Sequence, residues 1–202
     1  MKPILFNTEM VRAILDGRKT QTRRVVKVNL RNDEAGWQVI TNKHTGEFIR
    51  IETYDEWEDE VRWINPPYCP GDILYVRETW FEYAGQYVYK ATAAQPELWN
   101  GMWRPSIHMP KEAARIFLRV TDVRVERLRS ITEVDAEKEG FFKGWRLSGR
   151  GSLALSARQA FMWLWETITR DGPAAETWAC NPWVWVIEFE RYERPVEVSI
   201  ND

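Results

Sequence analysis

Residues 116–128 read IFLRVTDVRVERL. In an extended chain successive side chains alternate between faces, so Ile116, Leu118 and Val120 share one face while Val123 and Val125 fall in the opposite phase. One extra residue near Thr121-Asp122 brings all five to a common side. The stretch therefore predicts a long strand with a bulge, the device by which strands of barrels bend.

The chain on either side fits such a strand. Downstream, SITEVDAEKEG (130–140) predicts a short helix: Thr132 caps it, Asp135 completes a Thr-x-x-Asp box and Gly140 ends it. A Gly/Ser-rich loop over 141–155 leads to an amphipathic helix from Ser156 to about Thr169, with Phe161, Leu164, Trp165 and Ile168 on one side. PWVWVIEFERY (182–192) then reads as a half-buried strand, Trp185, Ile187 and Phe189 alternating with Val186, Glu188 and Glu190.

Upstream, a first helix is predicted over Thr8–Asp16, capped by Asn7 or Thr8 and closed by Gly17. It carries Met10, Val11, Ile14 and Leu15 as an apolar stripe. The run GRKTQTRR (17–24) begins where this helix stops, with four basic residues and no acidic one. WQVI and EFIRI are strand candidates around KHTGE, followed by the acidic DEWEDEVRW, together an inserted hairpin and linker. PPYCPGDILYVRETWFEY continues from turn residues into a strand whose hairpin partner, after Ala84-Gly85, is QYVYKA. Strands separated by short helices, without βαβ alternation, predict an α+β fold on a small curled sheet or barrel.

The composition excludes several classes. With 202 residues, 28 basic and 30 acidic, the chain has a net charge of -2, so no global positive field recruits nucleic acid and any such contact needs a local patch. Neither a secretory leader nor a membrane span is expected. Cys69 and Cys180, with His44 and His108, lack ligand-like spacing, so a reduced, cytoplasmic, metal-free protein is expected. Most of the twelve tryptophans are expected in the core rather than as a base-stacking surface. Cys180 is expected to be a buried thiol rather than a nucleophile working with His108, and His44 an exposed turn residue.

Four fragments in this order, ILDGRKTQTRR, PGDILYVRETW, VTDVRVERLRSITEVDAEKEG and PWVWVIEFE, resemble the ASCH-domain family, above all its phage and prophage members. The resemblance implies a PUA-like β-pseudo-barrel with short flanking helices. On that reading residues 1–202 form one domain, with insertions at about 28–64, 92–110 and 141–182. It also implies RNA or a modified nucleoside as partner; no cofactor is expected. A compact member similar to this chain at GRKTxT and DAEKEG is an amidohydrolase acting on N(4)-acetylcytidine; matched by motif, its catalytic residues fall on Lys19, Thr22 and Glu139.

The residues themselves suit such chemistry. Thr22 offers a nucleophilic oxygen, Lys19 a base if its pKa is depressed, and Glu139 a proton shuttle. In an extended segment Lys19 and Thr22 face opposite sides, so their pairing requires a tight turn at Thr20-Gln21. Glu139 lies in the last turn of its helix, where the dipole disfavours a negative charge. Arg18, Arg23 and Arg24 are candidates for holding phosphate or a base edge, or stems covering the barrel. Arg77 and Glu78 either line the same pocket or pair with each other, and Tyr75 and Trp80 either stack a base or pack in the core. Three functions stay open: an amidohydrolase, a non-catalytic RNA or modified-nucleic-acid binding module, and a metal-independent ribonuclease.

Overall fold

The computed structural model describes residues 1–27, 36–41, 48–55, 58–142 and 155–193. The fold is mixed α+β. A five-stranded sheet has the order β1 (Lys2–Leu5), β6 (Ile73–Arg77), β9 (Phe117–Arg127), β10 (Trp183–Arg191), β2 (Gln21–Val25). β1 runs parallel to β6 and the other pairs are antiparallel. A separate antiparallel sheet is formed by β3 (Gly36–Thr41), β4 (Phe48–Asp55) and β5 (Glu58–Ile64), so the acidic stretch expected to be a linker supplies its third strand. The hairpin β7 (Trp80–Tyr83) and β8 (Gln86–Tyr89) turns through Ala84 and Gly85, both at positive φ, as a two-residue connection demands.

The bulge in β9 is where the phase change put it. Val120 pairs with Phe189 and Asp122 with Glu188, leaving Thr121 as the extra residue. As a result Ile116, Leu118, Val120, Val123 and Val125 all join one core, together with Ile4, Leu74, Ile187 and Phe189. Helix α1 (Thr8–Leu15) closes over that face through Val11 and Ile14, and β4 adds Ile51. Among the described residues no backbone pairing joins the outer strands β1 and β2. Side chains draw them together instead: Arg24 Nη2 on β2 donates to Leu5 O on β1 at 2.9 Å.

A second core lies on the opposite face. Helices α2 (Glu133–Lys138) and α3 (Ala157–Thr169) cover Val184 and Val186 with Ala136, Ala157, Ala160, Phe161 and Trp165. β10 is therefore an interior strand buried on both faces from Val184 to Ile187, not half-buried as its alternation suggested, because two layers enclose it. On α3, Ile168 is 60% exposed and falls outside the predicted stripe. Trp80, Trp165 and Trp185 are buried, whereas Trp163 is exposed. Cys180, expected to be buried, is exposed and free, as is Cys69. The expectation for His44 lies outside the described residues.

The predicted capping box of α2 forms. Asp135 N donates to Thr132 Oγ1 at 3.1 Å, and Thr132 N donates back to the Asp135 carboxylate at 3.0 Å. Burial works against the Asp135 charge, but the bonds from Thr132 and the nearby Arg23 and Arg124 more than offset it, holding its carboxyl below the usual value. Asp135 thus adds stability that is present above the unfolded value near 3.8 and lost as pH falls through the lower folded value. Thr132→Ala is expected to cost about 1 kcal/mol in urea unfolding at neutral pH, and unaltered stability would exclude the cap as a support of α2.

Candidate active site

The C-terminus of α1 aims the basic run at the end of α2. Gly17, at φ 73, reverses the chain, and the N–H groups of Arg18 and Lys19 both donate to Ala13 O. Lys19 then forms an antiparallel bridge with Glu139, Thr20 N donates to Lys138 O at 2.9 Å, and Phe189 N donates to Thr20 O at 2.8 Å. Two residues 120 positions apart are in this way fixed side by side through their backbones.

The Lys19 ammonium donates three hydrogen bonds: to Glu139 Oε2 at 2.8 Å, Glu139 O at 3.0 Å and Gln21 O at 2.7 Å. Both residues are 2% exposed. Burial pulls the Lys19 pKa below the ordinary lysine value, and attraction to Glu139 offsets this only in part. The other Glu139 oxygen, Oε1, accepts from Arg23 Nη1 at 3.3 Å, so one carboxylate bridges two buried cations.

The chain of charges continues across the face of the sheet that carries α2 and α3. Arg23 Nη2 lies 3.1 Å from Glu126 and 3.7 Å from Asp135. Glu126 in turn accepts from Arg124 Nε at 2.7 Å, and Arg124 reaches Glu188 at 2.8 Å. Arg23 Nε, although buried, has no hydrogen-bond partner among the described residues. Glu126 was not singled out by sequence reasoning. Its one available signal is position, since Glu126 and Arg124 lie on one side of the long strand, away from the bulge-corrected apolar face.

The remaining predicted residues divide. Thr22 is buried and lies opposite Ile187, a residue of the inner core, so the two share a face. No tight turn forms at Thr20-Gln21; the chain runs extended into β2, and no hydrogen bond joins the Thr22 hydroxyl to Lys19 or Glu139. Arg24 is half-buried, donating to Leu5 O and Arg23 O, with its guanidinium 5.4 Å from the Phe6 ring. Lys19 Nζ is also 5.4 Å from that ring. Arg18 turns away to Gly140 O and Asp16.

Arg77 and Glu78 do not pair with each other. Arg77 ties down the 107–109 loop through the carbonyls of Ile107 and Met109. Glu78 makes a two-point pair with Arg115, at 2.9 and 3.0 Å, and Arg115 stacks on Tyr89. Trp80 is buried with Met109 and Ala113, as core packing requires.

Gly140 fits this junction closely. At φ +100, a Cβ added there would stand 2.8 Å from Ala13 Cβ and 3.3 Å from Lys19 Cβ. Gly140→Ala is expected to destabilise by about 1–3 kcal/mol through backbone strain alone, with overpacking added. A thermal melt matching the wild type would contradict this contact.

Among the described residues no three His, Cys, Asp or Glu side chains converge as metal ligands, and no helix is long and apolar enough to cross a membrane. Comparisons with family models, curated proteins and solved structures give no match.

Proposed function

We propose that this chain is an ASCH-domain protein of PUA-like fold that binds a nucleoside or RNA, and that it hydrolyses an amide on an acylated nucleobase of the N(4)-acetylcytidine type. The observation that carries the reading is the Lys19–Glu139 contact, a buried ammonium and carboxylate at 2.8 Å in which burial lowers the Lys19 pKa. The five-stranded sheet, whose edge strands β1 and β2 are joined by the Arg24–Leu5 bond, is compatible with a pseudo-barrel.

The chemistry follows from these groups. Neutral Lys19 accepts the Thr22 hydroxyl proton as Thr22 Oγ1 bonds to the acyl carbon. Collapse of the tetrahedral species breaks the C–N bond, and the Lys19 ammonium protonates the departing amine. Water then attacks the Thr22 ester, giving its proton to Lys19 with Glu139 as relay; the acyl C–O bond to Thr22 breaks, the Lys19 ammonium returns the proton to Thr22 Oγ1, and the carboxylic acid leaves. Substrate entry has to bring Lys19 and Thr22 to a common atom, because no hydrogen bond links them at rest.

The non-catalytic binding reading relies on Arg23 and Arg24, but Arg23 is already surrounded by Glu126, Asp135 and Glu139. The chemical reading is therefore preferred. Its test is cytidine release from N(4)-acetylcytidine by the wild type, Thr22→Ala and Lys19→Met proteins. Release by the wild type alone is expected. No release, or equal release by all three, overturns it; salt-sensitive RNA binding without release would favour the binding module.

A further inference from the structure

A groove of about 530 Å³ opens where β2 ends, β9 ends and β10 begins. That volume is in the range of small-molecule sites. Its walls are largely apolar, formed by Val26, Pro173, Pro182 and Trp183, and its charged groups are Lys27, Arg127 and Glu176. The Arg127 guanidinium lies 4.2 Å from the centre of the Trp183 ring, and its Nη1 donates to Asn181 O at 3.1 Å. Asn181 is itself fixed, with φ 49 and its side-chain oxygen accepting from Arg129 N at 2.7 Å.

Arg127 is thus held in place while its other N–H groups have no hydrogen-bond partner among the described residues. Lys27 stands 3.5 Å from Glu176 with its side chain 74% exposed, a pair too exposed to hold it firmly. Two cations against one carboxylate leave the groove with a net positive charge over apolar walls.

We propose that this groove is a second binding site, for a small planar aromatic anion: a ring bearing a carboxylate or a phosphate. The ring fills the apolar space beside Trp183, and a guanidinium already stacked on one aromatic suits stacking by another. The free N–H edge of Arg127 meets the anion, with Lys27 as the second charge. Inorganic phosphate lacks the ring and a neutral nucleoside lacks the charge, so neither alone satisfies the groove. Lys27 is four residues from Arg23, about 13 Å along an extended chain, so occupancy here does not involve Glu139. The proposal is independent of the amidohydrolase reading.

Cys180 lines the groove, and Cys69, also exposed, does not, which provides an internal reference. Iodoacetamide alkylation of the full chain, followed by mass spectrometry of both cysteines, is the test. Adenosine 5′-monophosphate or indole-3-acetate is expected to slow Cys180 alkylation at least fivefold, saturably, with Cys69 unaffected. Adenosine and inorganic phosphate at the same concentration are expected to give no protection. Protection by the nucleotide alone assigns the ligand to nucleotides; protection by indole-3-acetate assigns it to aromatic acids more broadly. Arg127→Gln, or Lys27→Ala as a second variant, is expected to raise the half-protecting concentration about tenfold, the loss of roughly one charge-assisted bond. Lys19→Met is expected to leave it unchanged. Absence of protection, equal protection of both cysteines, protection by phosphate alone, or indifference to both groove variants would overturn the proposal.

Discussion

Glu139→Ala is expected to lower stability by about 3–5 kcal/mol, because removing one partner of a buried ion pair strands the other. Glu139 is shared by Lys19 and Arg23, both buried. Arg23 retains Glu126 and Asp135, whereas Lys19 retains only carbonyl acceptors. The damage therefore falls mainly on Lys19. It follows that Lys19→Met should relieve much of the loss, and that the double variant Lys19→Met/Glu139→Leu should be more stable than Glu139→Ala. Urea unfolding of the set measures this coupling; a Glu139→Ala loss below about 1 kcal/mol would show that the cluster is not held as described.

The same pair has a pH signature. Burial lowers the Lys19 pKa from its unfolded value of 10.5. Between the lowered folded value and 10.5 the unfolded chain binds the proton more fully than the folded one, so stability rises with pH across that window. Below it the full cost of burying the charge persists. Wild type should accordingly gain on Lys19→Met as pH climbs toward 10.5, and parallel stability curves would argue against the lowered value.

Turnover of N(4)-acetylcytidine is expected to fall about 10²–10⁴-fold in Lys19→Met, the usual worth of a positioned general base. Thr22→Ala, which removes the attacking oxygen, should lose as much or more. The rate should rise with pH along one limb as Lys19 deprotonates, with its midpoint below 10.5 because burial disfavours the ammonium. Arg124→Gln, separated from Lys19 by Glu126, Arg23 and Glu139, should leave the midpoint nearly in place. Retained turnover in folded Thr22→Ala would exclude the covalent route, and a flat profile would exclude Lys19 as the base.

Much of the architecture is local and so was readable. The bulge at Thr121 follows from a phase change in five apolar residues, the α2 box from Thr132 and Asp135, and the hairpin turn from Ala84-Gly85. Each depends on neighbours a few residues away. The misjudged elements depended on distant ones. Val184 and Val186 are buried because α2 and α3 cover them, Ile168 is exposed because the α3 contact face does not extend to it, and the acidic 58–64 segment is a strand because β4 offers it an edge.

The candidate site divides along the same line. Residue chemistry and spacing marked Lys19, Thr22, Arg23 and Glu139 as reactive or charged groups after a helix stop and at a helix end. Which of them meet was decided by tertiary structure. The bridge between Lys19 and Glu139, 120 residues apart, buries both charges and forces them to satisfy one another. The same packing closes Arg23 against three carboxylates and leaves Thr22 on the other face of the strand. Local sequence determined where the chain turns, caps and bulges, because those energies arise within a few residues. Only the fold determined which charges are desolvated and therefore paired, because burial is a property of everything packed around a group.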